Sequence, residues 1–391
     1  MIETNEVKVD REELIFWRGR FPGYSIFLAV TQFFGAQRIL PARIIQIVVD
    51  SLACLFIYGI GLLIFDHRVG LWSAWMYAFW LPNALVACMP NQDSFMSVFI
   101  LSSLYFFILA MQKDSWRLVL LTAFILIIGT HMREEPFMFP VVWGFGLIFW
   151  KGFKKALAYS SVLMVLMLLG MAPYIIRNYR LEGRLAMLTP HIWDGIYSSI
   201  VLEDTQGRWG YKPVEQAMLE EKGVVYAGAT VERMNFCKEK ALRVIREDPW
   251  WYVRNILLPQ ISLFTIFPYS IISHYSGEPW LVDYLKSGGT SWGYLIYYPW
   301  QFFGRLLGKV SEGLVFLLAV LGIWLARSRW TATYVLWITP LYYMAGYLPI
   351  KVLPSYLIPP KALLLVLAAY AVITISKAFG NWRAVGVIRA A

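Results

Sequence analysis

The sequence predicts an all-α polytopic membrane protein. Of its 391 residues, 59% are hydrophobic and only 15% are charged. Runs of about 20 apolar residues recur, and each is long enough to cross roughly 30 Å of hydrocarbon. A β-barrel would show alternating segments of about 10 residues, and the sequence lacks that pattern. These observations favour a bundle of about nine to eleven transmembrane helices with one large polar loop.

The charge and cysteine patterns exclude several other classes of protein. The net charge is +10, but most of the cations flank apolar segments, so nucleic acid is not expected as a partner. Cys54, Cys88 and Cys237 are dispersed and form no CxxC pair, which argues against a disulfide framework or a zinc site. No Walker loop, GxGxxG or HExxH motif supports soluble nucleotide or metalloprotease chemistry.

Four regions follow one another along the chain. Residues 1–41 are predicted to be the remnant of a first external loop, with an interfacial or re-entrant helix near residues 21–36. Residues 42–176 form an N-terminal transmembrane core, 177–254 an external loop domain, and 255–391 a C-terminal transmembrane region. The predicted spans are 42–65, 69–89, 93–111, 116–132, 136–150, 156–176, 312–326, 330–349 and 357–376. Residues 255–308 are ambiguous because prolines and glycines interrupt their apolar runs.

Orientation follows from the distribution of Lys and Arg. With Lys151, Lys154 and Lys155 at a cytoplasmic junction, the short external connections carry only Arg133 and Lys351. The polar loop at 177–254 then lies outside the cytoplasm. The protein is predicted to be an integral, multi-pass protein of a bacterial or archaeal cell membrane, with its active face outside.

Successive spans place the connections alternately inside and outside the cytoplasm, and the N-terminal region conflicts with this alternation. The alternation places residues 1–41 outside, although Lys8, Arg11 and Arg18 make this segment basic. Since a basic N-terminus crosses a membrane poorly without a preceding helix, we expect a first transmembrane helix to be missing from this chain. The alternative keeps these residues inside, with 21–36 spanning in part.

Polar side chains gather at the predicted external ends of the helices. Ionisable groups at membrane depth are costly and usually face a bundle interior or a cavity. Arginine suits a phosphate-bearing lipid because its planar fork donates two parallel hydrogen bonds. The external candidates are Asp93, Arg133, Glu134, Glu135, Arg177, Arg180, His191, Trp193, Asp194, Lys351, Tyr356 and Lys361.

Each candidate also has a purely structural interpretation. Arg133 and Arg177 are alternatively cations that reach the lipid headgroups. Asp93 is alternatively a helix N-cap, and Glu134 and Glu135 alternatively occupy a first helical turn before Pro136. His191 is alternatively a solvated loop residue rather than a catalytic one. Asp50 alternatively pairs with another helix rather than taking part in chemistry. In the loop, residues 232–255 predict an amphipathic helix, with Trp250, Trp251 and Tyr252 at the membrane surface.

Several stretches resemble the integral-membrane glycosyltransferases of the GT-C class. The similarity is to the branch that includes dolichyl-phosphate-mannose protein mannosyltransferases and the aminoarabinose transferase of lipid A. GRFPGYSIFLAV at 19–30 resembles the family's Arg-Pro-Pro-Gly-Tyr-Pro-x-Phe-Leu segment. The family's helix that begins with an acidic residue is similar to NQDSFMSVFILSSLYFF. The family's Arg-Pro-Glu stretch resembles HMREEPFMFPVVW. APYIIRNYRLEGRLAMLT is similar to the specific Pro-Trp-x-x-Arg-Asn-Tyr-x-x-x-Gly signature, and SYLIPPKALLLVLAAYAV is a weaker match.

This resemblance implies an enzyme that takes a sugar from a polyprenyl-phosphate-linked donor. The sugar passes with inversion to an acceptor hydroxyl on a protein, lipid or glycan at the external face. A carboxylate serves as general base, and cations stabilise the departing lipid phosphate. The implied catalytic acids are Asp93, Glu12 and Glu13. The implied donor-phosphate and substrate-binding residues are Arg133, Arg177, Tyr179, Lys351, Tyr356, Lys361 and His191. No metal ligands are assigned, no cofactor besides the lipid-linked sugar is implied, and the need for a divalent metal is left open.

Two departures from the family pattern keep alternatives open. The family's base precedes the Pro-Gly-Tyr segment in a part that we expect to be missing here, which leaves Asp10, Glu12 and Glu13 as the acids of that loop. The family's Arg-Tyr-Arg-Leu-Pro stretch has Ser355 and Leu357 where its arginines stand. The alternatives are a non-catalytic or truncated protein of the GT-C fold, and a lipid or sugar transporter.

Overall fold

The computed structural model describes residues 21–34, 40–89, 91–182, 192–223, 231–265, 284–285, 287–350 and 354–390. Every regular element within these ranges is helical, so the predicted all-α class is confirmed. The helices of the first part are α1 (Gly23–Phe34), α2 (Leu40–Ser51), α3 (Ala53–Ile64), α4 (His67–Ala78), α5 (Leu81–Ala87), α6 (Gln92–Lys113), α7 (Trp116–Met132), α8 (Phe139–Lys151) and α9 (Phe153–Glu182).

The second part of the chain begins with the helices of the polar loop. These are α10 (Ile192–Glu203), α11 (Val214–Lys222), α12 (Val231–Glu247) and α13 (Pro249–Tyr252), followed by a π-helical turn at Val253–Leu257. The remaining helices are α14 (Leu258–Thr265), α15 (Ser291–Tyr297), α16 (Pro299–Leu325), α17 (Trp330–Tyr347) and α18 (Ile358–Ala390). Short 3₁₀ turns at Glu135–Met138, Arg327–Arg329 and Pro354–Leu357 precede α8, α17 and α18.

The core of the bundle lies where α6 meets α18. Ile100 and Leu104 of α6, and Leu363 and Leu367 of α18, have no exposed surface. The neighbouring helix α16 approaches α18 so closely that a Cβ on Gly322 would lie 2.1 Å from the carbonyl oxygen of Leu367. Small residues allow such close contact between membrane helices, where van der Waals packing replaces the hydrophobic effect.

Five helical segments are long and apolar enough to cross a membrane. They are Leu40–Ile64, Gln92–Lys113, Phe153–Arg180, Pro299–Leu325 and Ser355–Phe379. Gly23–Phe33 and Trp116–Met132 are apolar but shorter. The helix predicted near 21–36 therefore forms, and the segment predicted as a span at 116–132 forms an apolar helix that is shorter than these five. The protein is multi-pass by the length and composition of its helices.

Two predicted spans have different bounds in the structure. The single span predicted at 69–89 is wrong, because the chain leaves the helix at Phe79 and Trp80 and divides into α4 and α5. Pro82 is the cause, since it cannot donate a helical hydrogen bond and its ring clashes with the carbonyl four residues earlier, at the end of α4. The span predicted at 312–326 begins at Pro299 instead, and the helix carries the charged Glu312 into the bundle.

The polar loop folds into a small helical unit next to the membrane core. Ile200 of α10 and Ala241 and Val244 of α12 are fully buried against each other. The amphipathic helix predicted over 232–255 therefore forms, but it ends at Glu247, because Pro249 cannot continue its hydrogen-bond ladder. The hydroxyl of Tyr252 donates a hydrogen bond to the carbonyl oxygen of Pro349 at 2.5 Å, which fixes this unit beside the end of α17. The division of the chain at residues 41, 176 and 254 stays a prediction.

Candidate functional site

The candidate site is an ionic cluster around Arg133, where the ends of several helices meet. Arg133 follows the last residue of α7 with an extended backbone (φ −154°, ψ 150°). The chain then turns into the 3₁₀ segment that starts at Glu135. Pro136 favours this break, because it has no N–H to donate and so ends the helical ladder. The turn aims the Arg133 side chain across the end of the bundle.

Arg133 contacts groups from four separate segments. It forms a salt bridge with Asp93 in the first turn of α6. Its Nε donates to Oε1 of Glu135 at 2.8 Å, and Nη2 donates to the hydroxyl of Tyr347 at 2.7 Å. The guanidinium carbon lies 4.0 Å from the ring centroid of Tyr356, a cation–π distance. The structure thus brings Asp93, Arg133 and Tyr356 together at one end of the bundle, and that this end is the external one stays a prediction.

Asp93 is completely buried, and both of its carboxylate oxygens are occupied. One oxygen pairs with Arg133, and the other accepts a hydrogen bond from Nδ2 of Asn91 at 2.7 Å. Asn91 is the N-cap, since its Oδ1 accepts from the backbone N–H of Asp93 at 3.0 Å. The N-cap interpretation of Asp93 is therefore wrong, and Asp93 stands in the first turn, where the helix dipole stabilises a carboxylate. In this arrangement Asp93 positions Arg133, and each of its oxygens already has a partner.

Glu135 differs from Asp93 because only one of its oxygens is used. Oε1 accepts from Arg133 and from the hydroxyl of Tyr347. Oε2 is buried and has no hydrogen-bond partner among the residues that the structure describes. The hydroxyl of Tyr342 donates to the backbone carbonyl of Glu135 at 3.0 Å, which holds the turn in place. A buried carboxylate oxygen without a partner is costly unless a ligand or solvent reaches it.

The cluster combines two carboxylates with one guanidinium in an aromatic surrounding. Asp93 and Glu135 carry two negative charges against the single positive charge of Arg133, so the contacts shown leave an excess of one negative charge. Tyr343, Tyr347 and Tyr356 surround these groups as neighbouring rings. Such a site suits proton abstraction from a hydroxyl. It does not suit direct phosphate binding by Arg133, because its guanidinium already pairs with two carboxylates.

Arg177 and Tyr179 lie apart from this cluster. Both are exposed near the end of α9, and Tyr179 exposes 51% of its surface. Neither contacts Arg133 or its partners among the residues described. Arg177 therefore remains available to solvent, lipid headgroups or an anionic ligand, as the headgroup interpretation also allows.

Lys361 belongs to a second buried network. Its ammonium pairs with Glu312 of α16 at 3.0 Å, and the indole N–H of Trp80 donates to the other oxygen of Glu312. Lys361 and Glu312 are both nearly inaccessible to solvent. The structure thus places Lys361 in a contact between helices, and its predicted role toward a donor phosphate gains no support from this geometry.

The remaining predicted site residues fall outside the described part of the chain. They are Glu12, Glu13, His191 and Lys351. Asp50, another intramembrane carboxylate, accepts hydrogen bonds from the hydroxyl of Tyr77 at 3.0 Å and from Nδ2 of Asn83 at 2.7 Å. Pairing of Asp50 with another helix, as one alternative proposed, is therefore confirmed.

Sequence reasoning gave two residues of the cluster no catalytic or binding role: it named Glu135 only as a polar candidate and did not name Tyr347. Glu135 was visible in the Arg-Glu-Glu-Pro stretch, but its free oxygen depends on the 3₁₀ turn. Tyr347 stands 214 positions from Arg133, in a span rich in aromatic residues, and no local pattern marks it. Among the described residues, no three His, Cys, Asp or Glu side chains group closely enough to hold a metal ion.

The loop unit carries a further polar cluster beside this site. Arg233 pairs with Asp194 at 3.2 Å and with Glu215 at 2.8 Å. Cys237 lies next to Asp194. Burial, reinforced by the negative charge of Asp194, raises the pKa of the Cys237 thiol to about 12. These contacts join α10, α11 and α12 and account for the cluster as a structural one.

Comparison with known protein families identifies one match over part of the chain. Residues 22–176 match the model of the dolichyl-phosphate-mannose-protein mannosyltransferase family. This range contains Asp93, Arg133 and Glu135, but ends before Arg177 and does not reach Tyr347. No curated protein matches the chain.

Two solved structures share the fold. The apo oligosaccharyltransferase of Archaeoglobus fulgidus superposes with a TM-score of 0.52 at 14% identity, over 94% of this chain and 44% of that one. The oligosaccharyltransferase AglB from the same archaeon, in complex with an inhibitory peptide and a dolichol-phosphate, gives a TM-score of 0.50 at 14% identity, over 94% of this chain and 43% of that one. This chain thus spans less than half the length of that enzyme. The resemblance to GT-C glycosyltransferases is confirmed in sequence over residues 22–176 and in fold over most of the chain.

Proposed function

We propose that this protein is a membrane glycosyltransferase with its active site at the Arg133 cluster. It takes a sugar from a polyprenyl-phosphate-linked donor and transfers it to an acceptor hydroxyl outside the cytoplasm. The observation that carries the proposal is the unpartnered Oε2 of Glu135, held in place by Arg133 and Tyr347. The family match over residues 22–176 supports the reaction class. The dolichol-phosphate bound to the archaeal relative supports a lipid-linked donor.

The chemistry assigns different roles to the two carboxylates. The acceptor oxygen attacks the anomeric carbon while its proton passes to Oε2 of Glu135. The bond from that carbon to the phosphate oxygen breaks, and polyprenyl phosphate leaves with the electron pair, so the sugar inverts. Asp93 is a positioning residue, because it holds Arg133 and through it Glu135. This revises the sequence-based role of Asp93 as the base.

The donor phosphate needs cations that are not already paired. Arg133 is engaged by two carboxylates, so it orients the base rather than the phosphate. Arg177 is exposed at the end of a membrane-spanning helix, where a lipid phosphate lies. Preorganised cations at a departing phosphate stabilise its developing charge. We therefore assign donor binding to Arg177, with Tyr179 beside it.

The experiment is transfer of labelled sugar from a panel of polyprenyl-phosphate sugars in membranes that express the full chain. Arg177→Ala should weaken donor use, while Arg117→Ala, an exposed cation at the other end of the bundle, serves as its matched control. Loss of transfer in Arg177→Ala alone supports the assignment. Equal transfer by both variants contradicts the assignment to Arg177, and no transfer by the folded wild-type protein from any donor contradicts the function.

A second candidate function is a non-catalytic membrane protein of the same fold. The observation that favours it is the complete burial of Asp93 with Arg133 fully paired, which describes a structural clamp. The two functions differ in a measurable way. If the cluster is a structural clamp, substitutions in it lower the melting temperature in proportion to any loss of activity. If it is a catalytic site, Glu135→Gln stops sugar transfer and leaves the melting temperature nearly unchanged.

A further inference from the structure

A second feature of the bundle shares no residue with the Arg133 cluster. An open groove of about 490 Å³ runs between α8 and α9 and is lined almost entirely by apolar atoms. Val141, Phe145 and Ile148 line it from α8, and Leu157, Ser160 and Met164 from α9. The volume is within the range of small-molecule sites, roughly 300–1,000 Å³. Because α9 is a membrane-spanning helix, the groove opens toward hydrocarbon.

Small residues create the groove by letting the two helices approach. A Cβ on Gly144 would lie 1.9 Å from the hydroxyl oxygen of Ser160, so the floor is narrow and only glycine fits there. Phe145 and Leu157 expose more than half of their surface and form its walls. The Ser160 hydroxyl oxygen is buried without a hydrogen-bond partner among the described residues, and an ester carbonyl in the groove would accept from it.

Cations gather where the groove ends at the junction of α8 and α9. Lys151 and Lys155 each lie 3.3 Å from Asp114, while Lys154 is exposed and forms no ion pair within the described part of the chain. The exposed Lys113 and Arg117 flank Asp114 and add positive charge. One carboxylate thus faces an excess of cations, and basic pockets between membrane helices are suited to anionic lipid headgroups.

Aromatic residues place this junction at the membrane–water boundary. Trp116 exposes 48% of its surface and packs against Tyr159 with the rings tilted by 41° and their centroids 4.6 Å apart. Trp150 lies one residue before Lys151. Tryptophan and tyrosine concentrate at headgroup level, so the lysines lie beside the phosphates and the groove extends from them among the acyl chains.

We propose that the groove between α8 and α9 is a binding site for one anionic glycerophospholipid. One acyl chain lies between Phe145 and Leu157, and the phosphate rests against Lys154 beside Lys151 and Lys155. A zwitterionic headgroup fits less well, because its cation would meet the same lysines. This site is independent of the proposed transferase activity.

The test measures lipid binding to the purified, delipidated full chain by native mass spectrometry. Phosphatidylglycerol and phosphatidylcholine with the same acyl chains are titrated in parallel. We expect the anionic lipid to bind about tenfold more tightly, and Lys154→Gln to weaken its binding about fivefold. The matched control is Lys222→Gln, which removes an exposed lysine from the loop unit.

The apolar part of the site is tested separately by filling the groove. Leu157→Trp and Val141→Trp fill it from opposite helices at positions that are already exposed. We expect each to lower phosphatidylglycerol binding about tenfold. Leu169→Trp, at an exposed position of α9 outside the groove, is expected to bind like wild type. Equal affinity for the two lipids, or wild-type binding by both groove-filling variants, overturns the proposal.

Discussion

The two ends of the helical bundle differ in how far their ionic clusters are exposed to solvent. At one end, Arg133 is buried between Asp93 and Glu135, with side chains exposed by 10%, 0% and 9%. At the other end, Asp114 pairs with Lys151 and Lys155, but its side chain is 45% exposed. Both clusters join helix termini across the bundle. Only the first removes its charges from water.

This difference separates a candidate chemical site from a membrane boundary. Buried charges are expensive, so they persist where they are paired and commonly where they have a function. Exposed pairs at helix ends contribute little and are weakened by salt. The Arg133 cluster has the character of a preorganised site, and the Asp114 cluster that of headgroup-facing cations.

Removing the central cation should have the largest effect on stability. Arg133→Met leaves Asp93 and Glu135 buried without their cation, and breaking such a pair costs roughly 3–5 kcal/mol. Thermal unfolding in detergent measures the loss. As a control at the other end, Lys151→Met should leave the melting temperature nearly unchanged. Equal effects of the two substitutions would contradict the contrast between the ends.

The Lys361–Glu312 pair lies inside the bundle and sharpens the same comparison. Lys361→Met should destabilise the protein by roughly 3 kcal/mol, because Glu312 is then left buried with Trp80 as its one hydrogen-bond partner among the described residues. The double variant Lys361→Met/Glu312→Leu should recover most of this loss, since apolar residues often replace a buried pair without cost. If the double variant does not recover stability, the ion pair contributes more to the free energy of unfolding than the apolar residues that replace it, which contradicts this expectation.

Burial also protects a thiol in the loop unit beside the Arg133 end. With its pKa raised to about 12 by burial, Cys237 is almost entirely protonated at pH 8, and the thiol form is not nucleophilic. Cys88 is exposed. We expect alkylation of Cys237 to be about 100-fold slower or more than that of Cys88, as measured by peptide mass spectrometry. Comparable rates would contradict the packing of α12 against α10.

The smallest effect is expected from titration of Asp114. Hydrogen bonds from Lys155 and Lys151 lower the pKa of this carboxyl below its ordinary value of 3.8. The stabilisation is therefore fully present above pH 3.8 and is lost as the pH falls through the lower, folded-state pKa. The small difference in melting temperature between wild type and Asp114→Asn should vanish at a pH below the folded-state pKa of Asp114. A difference that grows on acidification would have the wrong sign.

The apolar framework was predictable from the sequence, whereas the polar contacts were predictable only in part. Trp116–Met132 formed where hydropathy placed it, because length and composition determine a membrane helix. The division at Phe79 and Trp80 was missed, since Pro82 acts on the helix that precedes it. The extension of α16 to Pro299 was missed because Glu312 is neutralised by Lys361, a partner far away in sequence.

The site shows the same limit more sharply. Alternation of the spans brought Asp93, Arg133 and Tyr356 to one end of the bundle without knowledge of their contacts. Which carboxylate keeps a free oxygen depends on Asn91 capping α6 and on the turn before Pro136. Tyr347 occupies one oxygen of Glu135 from a distant helix. The contact with Tyr347 arises from tertiary packing, and no local pattern in the sequence marks it.

The most direct test of the central claim compares two adjacent glutamates. With a donor that the wild-type protein uses, sugar transfer is measured in a single turnover for Glu135→Gln and for Glu134→Gln. If Glu135 is the general base, its variant should lose about 10²- to 10⁴-fold in rate while keeping the wild-type melting temperature, and Glu134→Gln should retain most activity. Undiminished transfer by Glu135→Gln would contradict the assignment of the base and of the site.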